Sequence, residues 1–349
     1  MHKVIPLMDW FKAVGIFLIV FGHLDGDLTN TMTAPVMLKQ LGVVLFVFIM
    51  GWQLSQDKRG TKLIVFNRLF KILFWSVGFA VFMSILGLVF EGKFYRSNYM
   101  PFFAGVNVLF DFFPANPTTW FIGTYIHIVI LWAVFFKKIR VSKKLIAFSL
   151  VSEILIRGFL MNYGLQRAYM LFFNWQTVFF LGLYCGEHRS KEKPGSLWVH
   201  CLIYGGAIFL WAVANAWPEM AKNFPFRIVQ AGSGQFNFMV TSMMVTMVYT
   251  GHALLFYHLA RRLPGMKMIR FFSRNSMIIF LAHMPLWYFI APHMRTLIEF
   301  HPLRIVADLA ILYLGIGLVS SLIVRLIPAD RIKTLVYQQV FFRNETPVS

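Results

Sequence analysis

A lysine and a histidine lie inside the first apolar segment of the chain, where ionisable side chains are costly. Lys12 and His23 stand eleven residues apart within residues 9–25. A helix advances about 100° per residue, so this spacing comes within about 20° of three full turns and places both side chains on one face, about 16 Å apart along the axis. Because both side chains are on one face, one groove could contact both. Ionisable groups retained in a membrane segment indicate function.

The alternative interpretation gives these two residues no chemistry. Lys12 would then extend to the membrane interface, and His23 would only cap the far end of the helix. If His23 is functional, an imidazole near neutral pKa is suited to remove a proton from a hydroxyl. Asp25 could orient that ring only if the helix ends at His23, because two residues of continuous helix turn about 200°. His23 is our candidate catalytic residue.

A second set of cations follows the second apolar segment. Arg68 and Lys71 have the i, i+3 spacing that places two side chains on one helix face, so both can address one anionic ligand. The preceding cations, Lys58, Arg59 and Lys62, are interpreted as topology signals. That interpretation is also the alternative for Arg68 and Lys71.

Two further pairs of ionisable residues occur in later apolar segments. Glu153 and Arg157 are four residues apart, and mutual neutralisation is the simplest interpretation, with a substrate role for Glu153 as the alternative. Arg274 and His283 are nine residues apart, about a half-turn out of alignment, so they should not line the same groove. We expect Arg274 at the cytoplasmic end of its helix and leave His283 as a packing or hydrogen-bonding residue.

About ten apolar segments are long enough to position these residues as membrane-spanning helices. They are 5–24, 37–55, 69–90, 118–136, 144–161, 172–186, 197–215, 236–258, 271–291 and 304–327. Most of the 33 lysines and arginines fall in alternate intervals between them. By the positive-inside rule, both termini are cytoplasmic, Lys12 lies toward the cytoplasm and His23 toward the outside.

The intervals between the segments are too short for a separate soluble domain. Residues 1–349 are therefore predicted to form one all-α, polytopic membrane domain with a short cytoplasmic tail at 328–349. The longest polar intervals, 91–117 and 216–235, lie outside by this topology and are rich in aromatic residues. They could form a carbohydrate-binding mouth, or they could be interfacial anchors.

Composition excludes several classes of protein. With 58% hydrophobic and 13% charged residues among 349, and a mean hydropathy of +0.65, the chain is not a soluble globular protein. The net charge of +19 comes from short runs between apolar segments, so no nucleic-acid partner is predicted. Cys185 and Cys201 lack the spacing of metal ligands, and we predict no metal site.

Five motifs resemble those of the membrane-bound acyltransferase family 3. Lys12-x10-His23 is similar to its Arg/Lys-x10-His signature, and Arg68-Leu-Phe-Lys71 to its Arg-x-x-Arg pair. Residues 46–54 resemble Phe-Phe-x-x-Ser-Gly-Phe-x-Leu, with Met50 in the serine position. The other two are the Trp-Phe-Ile sequence starting at Trp120 and residues 272–283, similar to Gly-Arg-x-Ser-Leu-x-x-Tyr-x-x-His.

The resemblance implies an O-acyltransferase that moves an acyl group, in our interpretation acetyl, from cytoplasmic acetyl-CoA to a hydroxyl of an envelope or extracellular carbohydrate. It implies a multi-pass protein of the bacterial inner membrane. His23 would be the general base, or it would form an acyl-histidine intermediate. The predicted donor-binding residues are Lys12, Arg68, Lys71 and Arg274, and the predicted substrate-binding residues are Asp25, Trp120 and Glu153.

Two rival classes remain open at this stage. A secondary transporter or flippase for a glycan or lipid-linked sugar would also need many helices and buried ionisable residues, although we find no internal repeat that indicates inverted halves. A membrane scaffold without catalysis would predict that replacing His23 has no effect.

Overall fold

The computed structural model describes residues 6–24, 38–94, 105–109, 119–188, 197–216 and 226–341. The described chain is helical and contains no strand. The helices are α1 Pro6–Phe21, α2 Leu38–Gln56, α3 Thr61–Glu91, α4 Val106–Leu109, α5 Trp120–Phe136, α6 Lys143–Leu160, α7 Leu165–Met170, α8 Gln176–Glu187, α9 Leu197–Ala216, α10 Gly234–Ala260, α11 Lys267–Leu297, α12 His301–Leu326 and α13 Ala329–Phe341.

Each of the ten predicted apolar segments coincides with one of these helices, but five helices in the described residues are long and apolar enough to cross a membrane. These are α2, α3, α10, α11 and α12. Two shorter apolar helices, Trp120–Phe136 and Leu197–Phe209, are also present. The count of ten spans and the cytoplasmic placement of both termini stay predictions.

Helix α2 is at the centre of the described fold, between α1 on one side and α8 on the other. Glycines allow the close approach. A Cβ on Gly51 of α2 would overlap the carbonyl oxygen of Phe179, and one on Gly182 of α8 would overlap the carbonyl oxygen of Phe48. Small residues let helix backbones approach closely in membranes, where dispersion contacts replace the hydrophobic effect as the force between helices. Gly51 therefore serves helix packing.

Helix α1 is held between α2 and α11. Gly15 of α1 faces Gly42 of α2 so closely that a side chain at Gly42 would overlap the Gly15 carbonyl oxygen. On the other side, Tyr313 of α12 donates a hydrogen bond to the Ala13 carbonyl oxygen over 3.0 Å and stacks on Phe272 of α11 at 4.0 Å. Tyr313 lies in a π-helical turn, Ala310–Gly315, of the kind found frequently at functional sites.

Two boundaries differ from those expected from the sequence. The apolar run was predicted to begin at residue 69, but α3 begins at Thr61, so Arg68 and Lys71 lie two turns inside the helix. Lysine and arginine are good helix formers, and a basic stretch therefore does not delay a helix start. Residues 329–341, predicted as part of a tail, form helix α13, which lies against α3 through contact of Tyr337 with Phe66.

Candidate active site along the first helix

The first turns of α1 are fixed against the beginning of α11. Asp9 accepts a hydrogen bond from the Ser273 hydroxyl over 2.7 Å, and its other carboxylate oxygen lies 3.7 Å from Nε of Arg270. Trp10 Nε1 donates to the Pro264 carbonyl oxygen over 2.9 Å. These contacts set the position from which Lys12 extends.

Lys12, Arg68 and Lys71 lie close enough to interact electrostatically, and we refer to them as the cation cluster. Lys12 is half-buried on α1, and the other two come from α3. Arg68 donates a hydrogen bond to the side-chain oxygen of Gln53 on α2 and also bonds the Tyr125 hydroxyl on α5. Four helices thus meet here. The structure brings together three of the four residues predicted to bind the donor.

Helix α13 adds two charged residues beside this cluster. Asp330 and Lys333 both interact electrostatically with Lys71, and Lys333 Nζ lies 3.2 Å from Asp330 Oδ1. Neither residue was predicted to be functional, because both follow the last apolar segment and match no motif. Their charge and helical spacing alone do not indicate which helix they approach.

The fourth predicted donor-binding residue, Arg274, lies elsewhere. Its side chain is exposed, while its neighbour Ser273 faces Asp9. Within the described part of the chain, Arg274 makes no ion pair with a carboxylate. Its role in donor binding stays a prediction.

One of the exposed cations around the start of α3 is paired within the preceding loop. Arg59 pairs with Asp57 over 2.6 Å, and this side-chain hydrogen bond holds the pKa of the Asp57 carboxyl below its ordinary value against the opposing effect of desolvation. Lys58 and Lys62 are exposed.

At its other end, α1 stops at Phe21, two residues before His23. Residues 22–24 form a turn in which the His23 amide donates to the Val20 carbonyl oxygen over 3.0 Å. The helical register that aligned Lys12 with His23 therefore does not extend to His23, and the turn places the imidazole instead. Asp25 was expected to orient the ring only if the helix ended at His23, and its role stays a prediction. Asp25 itself lies outside the described residues.

The turn places His23 against His283 of α11, with ring centroids 5.4 Å apart and the planes inclined by 51°. His283 is fully buried, and its Nδ1 lies 2.8 Å from the Phe280 carbonyl oxygen and 3.1 Å from that of Ile279. From the sequence, His283 was predicted to be a packing or hydrogen-bonding residue. The nine-residue spacing predicted that Arg274 and His283 do not share a groove, and the first is exposed while the second is buried. Spacing along one helix could not indicate that His283 meets His23.

Lys39, the second residue of α2, also interacts electrostatically with His23. A Cβ on Gly22 would lie 2.6 Å from the Lys39 backbone nitrogen, so the turn after α1 presses against the start of α2. No role was predicted for Lys39 from the sequence. The feature that could have indicated one is a single lysine at the start of an apolar segment.

Trp120 lies at the start of α5, half-buried, with its ring 4.7 Å from Tyr169 and 6.1 Å from Trp175. The next residue, Phe121, contacts Phe280 at 5.8 Å, one turn from His283 on α11. Trp120 therefore lies at the same end of the bundle as the two histidines. Its contact with substrate stays a prediction.

Glu153 and Arg157 form a fully buried ion pair on α6, as their spacing predicted. Arg157 also donates to the Ser242 carbonyl oxygen and the Thr246 hydroxyl, each over 2.9 Å. Both Glu153 oxygens are occupied, one by Arg157 and Thr246 and the other by the Thr177 amide at 2.8 Å. These contacts are those of a structural pair. A substrate role for Glu153 stays an untested alternative.

In the described residues, no group of three or more histidine, cysteine, aspartate or glutamate side chains is placed to hold a metal ion. Cys185 and Cys201 are both free thiols.

Several helices are able to cross a membrane, and α1 has an imidazole pair at one end and clustered cations at the other. These features define a polytopic membrane protein with ionisable side chains grouped along one helix. Residues 5–328 match the family model described as an acyltransferase domain, that of the acyltransferase 3 family, and the chain belongs to this family. It is therefore a membrane acyltransferase. Neither a curated protein nor a solved structure matches the chain.

Proposed function

We propose that the protein transfers an acetyl group from acetyl-CoA to a hydroxyl of an envelope carbohydrate, with His23 as general base. One observation carries the proposal: Lys12, near the beginning of α1, joins the cation cluster, and His23, in contact with a second imidazole, lies just beyond the end of the same helix. An anionic donor and a hydroxyl acceptor can thus be bound at opposite ends of one helix.

The cation cluster suits the phosphates of CoA. Lys12, Arg68 and Lys71 repel one another, and a pyrophosphate and a 3′-phosphate relieve that repulsion through charge-assisted hydrogen bonds. Arg68 is held by Gln53 and Tyr125, which reduces the entropy lost when it binds an anion. The pantetheine arm would then extend along α1 toward His23.

At His23, the imidazole takes the proton of the acceptor hydroxyl as the oxygen attacks the thioester carbonyl carbon. The new C–O bond forms, the C–S bond breaks, and the imidazolium returns the proton to the departing thiolate, giving the O-acetyl ester and CoA thiol. General-base catalysis of this type contributes about 10²- to 10⁴-fold. Lys39, whose charge acts on His23, would help to stabilise the oxyanion formed on the way.

We further propose that the Lys12 end of α1 faces the cytoplasm, where CoA thioesters are made, and the His23 end faces outward. The alternation of basic intervals supports this orientation. The protein would then be in the bacterial inner membrane and deliver acetyl groups to carbohydrate on the far side.

The test is acetyl transfer by the purified protein, using acetyl-CoA radiolabelled in the acetyl group and a panel of envelope glycans. We expect label in the glycan, released by mild alkali as an ester is, and none with the His23→Ala variant. A transporter or flippase would leave the label on CoA, and that result would overturn the proposal.

A further inference from the structure

His283 has one nitrogen engaged and one available. Carbonyl oxygens only accept hydrogen bonds, so the contacts of Nδ1 with Phe280 and Ile279 require the proton to be on Nδ1. A buried imidazolium without a carboxylate partner is costly, and no ion pair among the described residues involves His283. The neutral ring therefore presents a lone pair at Nε2.

That lone pair is buried and receives no hydrogen bond from any described residue. A buried acceptor without a donor is destabilising, so a donor is expected at Nε2. The ring of His23 is the neighbouring polar group. Two imidazoles joined by an N–H···N bond have centroids roughly 5 Å apart, and the observed 5.4 Å is within a small side-chain rotation of that arrangement.

Two other described residues near the histidine pair cannot accept a hydrogen bond from His23. Lys39 interacts with His23, but an ammonium group has only donors and cannot accept a hydrogen bond from an imidazole. Phe280, 6.1 Å from His283, is apolar. His283 Nε2 is thus the described acceptor suited to the His23 N–H.

We infer that His283 is a positioning residue, which accepts the N–H of His23 at Nε2 and so directs the other nitrogen of His23, with its lone pair, toward the acceptor hydroxyl. The inference rests on the proposed role of His23 as base. When His23 takes the hydroxyl proton, the resulting imidazolium keeps donating to His283. A neutral imidazole, oriented by two backbone carbonyls, thus supports the base in place of a carboxylate.

The experiment compares His283→Gln with His283→Leu. Glutamine can place its amide oxygen near the position of Nε2 and still accept from His23, whereas leucine fills the space without an acceptor. We expect His283→Leu to lower kcat about 10- to 100-fold, the range for loss of an orienting hydrogen bond, and His283→Gln to retain most of the parent kcat. The KM for acetyl-CoA should change less than twofold in both, because the cation cluster is at the other end of α1.

His252→Leu is the matched control, since it also replaces a buried histidine, on α10. It should leave kcat within about twofold. Equal loss of kcat in the Gln and Leu variants of His283, with acetyl-CoA binding intact, would show that the ring serves packing and would overturn the inference. If the Leu variant does not fold, the Gln variant alone decides, because a loss beyond about 100-fold with intact donor binding contradicts the role.

The two proposals fail in different ways. An active His23→Ala variant would contradict the proposed function itself. An inactive His23→Ala variant together with a fully active His283→Leu variant would contradict only the role of His283.

Discussion

His23 and Lys12 are at opposite ends of α1, so their contributions can be separated by measurement. His23→Ala should abolish turnover yet leave acetyl-CoA binding largely intact, because a general base acts in the transition state and contributes little to holding the thioester. Turnover and binding should be measured on the same detergent-solubilised preparation. Transfer within a few-fold of the parent rate would mean that the imidazole is structural.

Lys12→Arg should retain substantial activity, since arginine keeps the charge and the family signature accepts either cation. Lys12→Met should instead raise the KM for acetyl-CoA. If both variants were equally inactive while binding the donor normally, Lys12 would not be a donor-binding residue.

The cation cluster gives a second prediction at this scale. Arg68→Ala and Lys71→Ala should each raise the KM for acetyl-CoA more than that for the acceptor, because a lost hydrogen bond to a charged group costs about 1.5–3 kcal/mol. Lys62→Ala is the matched control, an exposed cation on the same helix. Equal weakening toward both substrates would count against phosphate binding.

Spacing along one helix predicted that Arg68 and Lys71 lie close together, and both are in α3. The same arithmetic failed for Lys12 and His23, because α1 ends at Phe21 and a turn places the imidazole. The contact between His23 and His283 was not predictable, because the two residues are far apart in sequence and angular arithmetic along one helix gives no information about its neighbours. Lys39 was missed for the same reason.

At the scale of the helices, glycine contacts determine how α2 meets α8. Gly182→Ala should lower the thermal midpoint of unfolding in detergent, since its Cβ would overlap backbone that cannot move aside, and overpacking costs about 1–3 kcal/mol. Gly205→Ala on α9, where a Cβ would meet no atom within 4 Å, should leave the midpoint unchanged or raise it. Equal midpoints for the two variants would contradict the packing described here.

The existence of helices was predictable because ten apolar stretches stand out from the polar intervals around them. Helix α13 was not, since Ala329–Phe341 contains polar and charged residues throughout and becomes recognisable only by its contact with α3. The end of α1 at Phe21 was also not predicted, because the apolar sequence continues past it.

For the whole molecule, the orientation in the membrane is the property that decides which substrate reaches which end. In a variant whose native cysteines are replaced, Leu109→Cys should react with an impermeant thiol reagent added to intact cells, and Arg140→Cys should react only after the cells are opened. Both side chains are exposed, so access alone does not distinguish them. The reverse pattern of labelling would place the donor and acceptor on the wrong sides.

The cation cluster has a consequence for the lifetime of the protein in the cell. Like charges held together oppose folding until an anion joins them, so a bound CoA thioester would stabilise the native state as well as supply the acetyl group. A ligand present at 100 times its dissociation constant adds about 2.7 kcal/mol to the stability of the protein that binds it. When carbon supply falls and acetyl-CoA is depleted, the empty enzyme would unfold more often and be removed by proteolysis. The amount of this acyltransferase would then depend on the supply of acetyl-CoA.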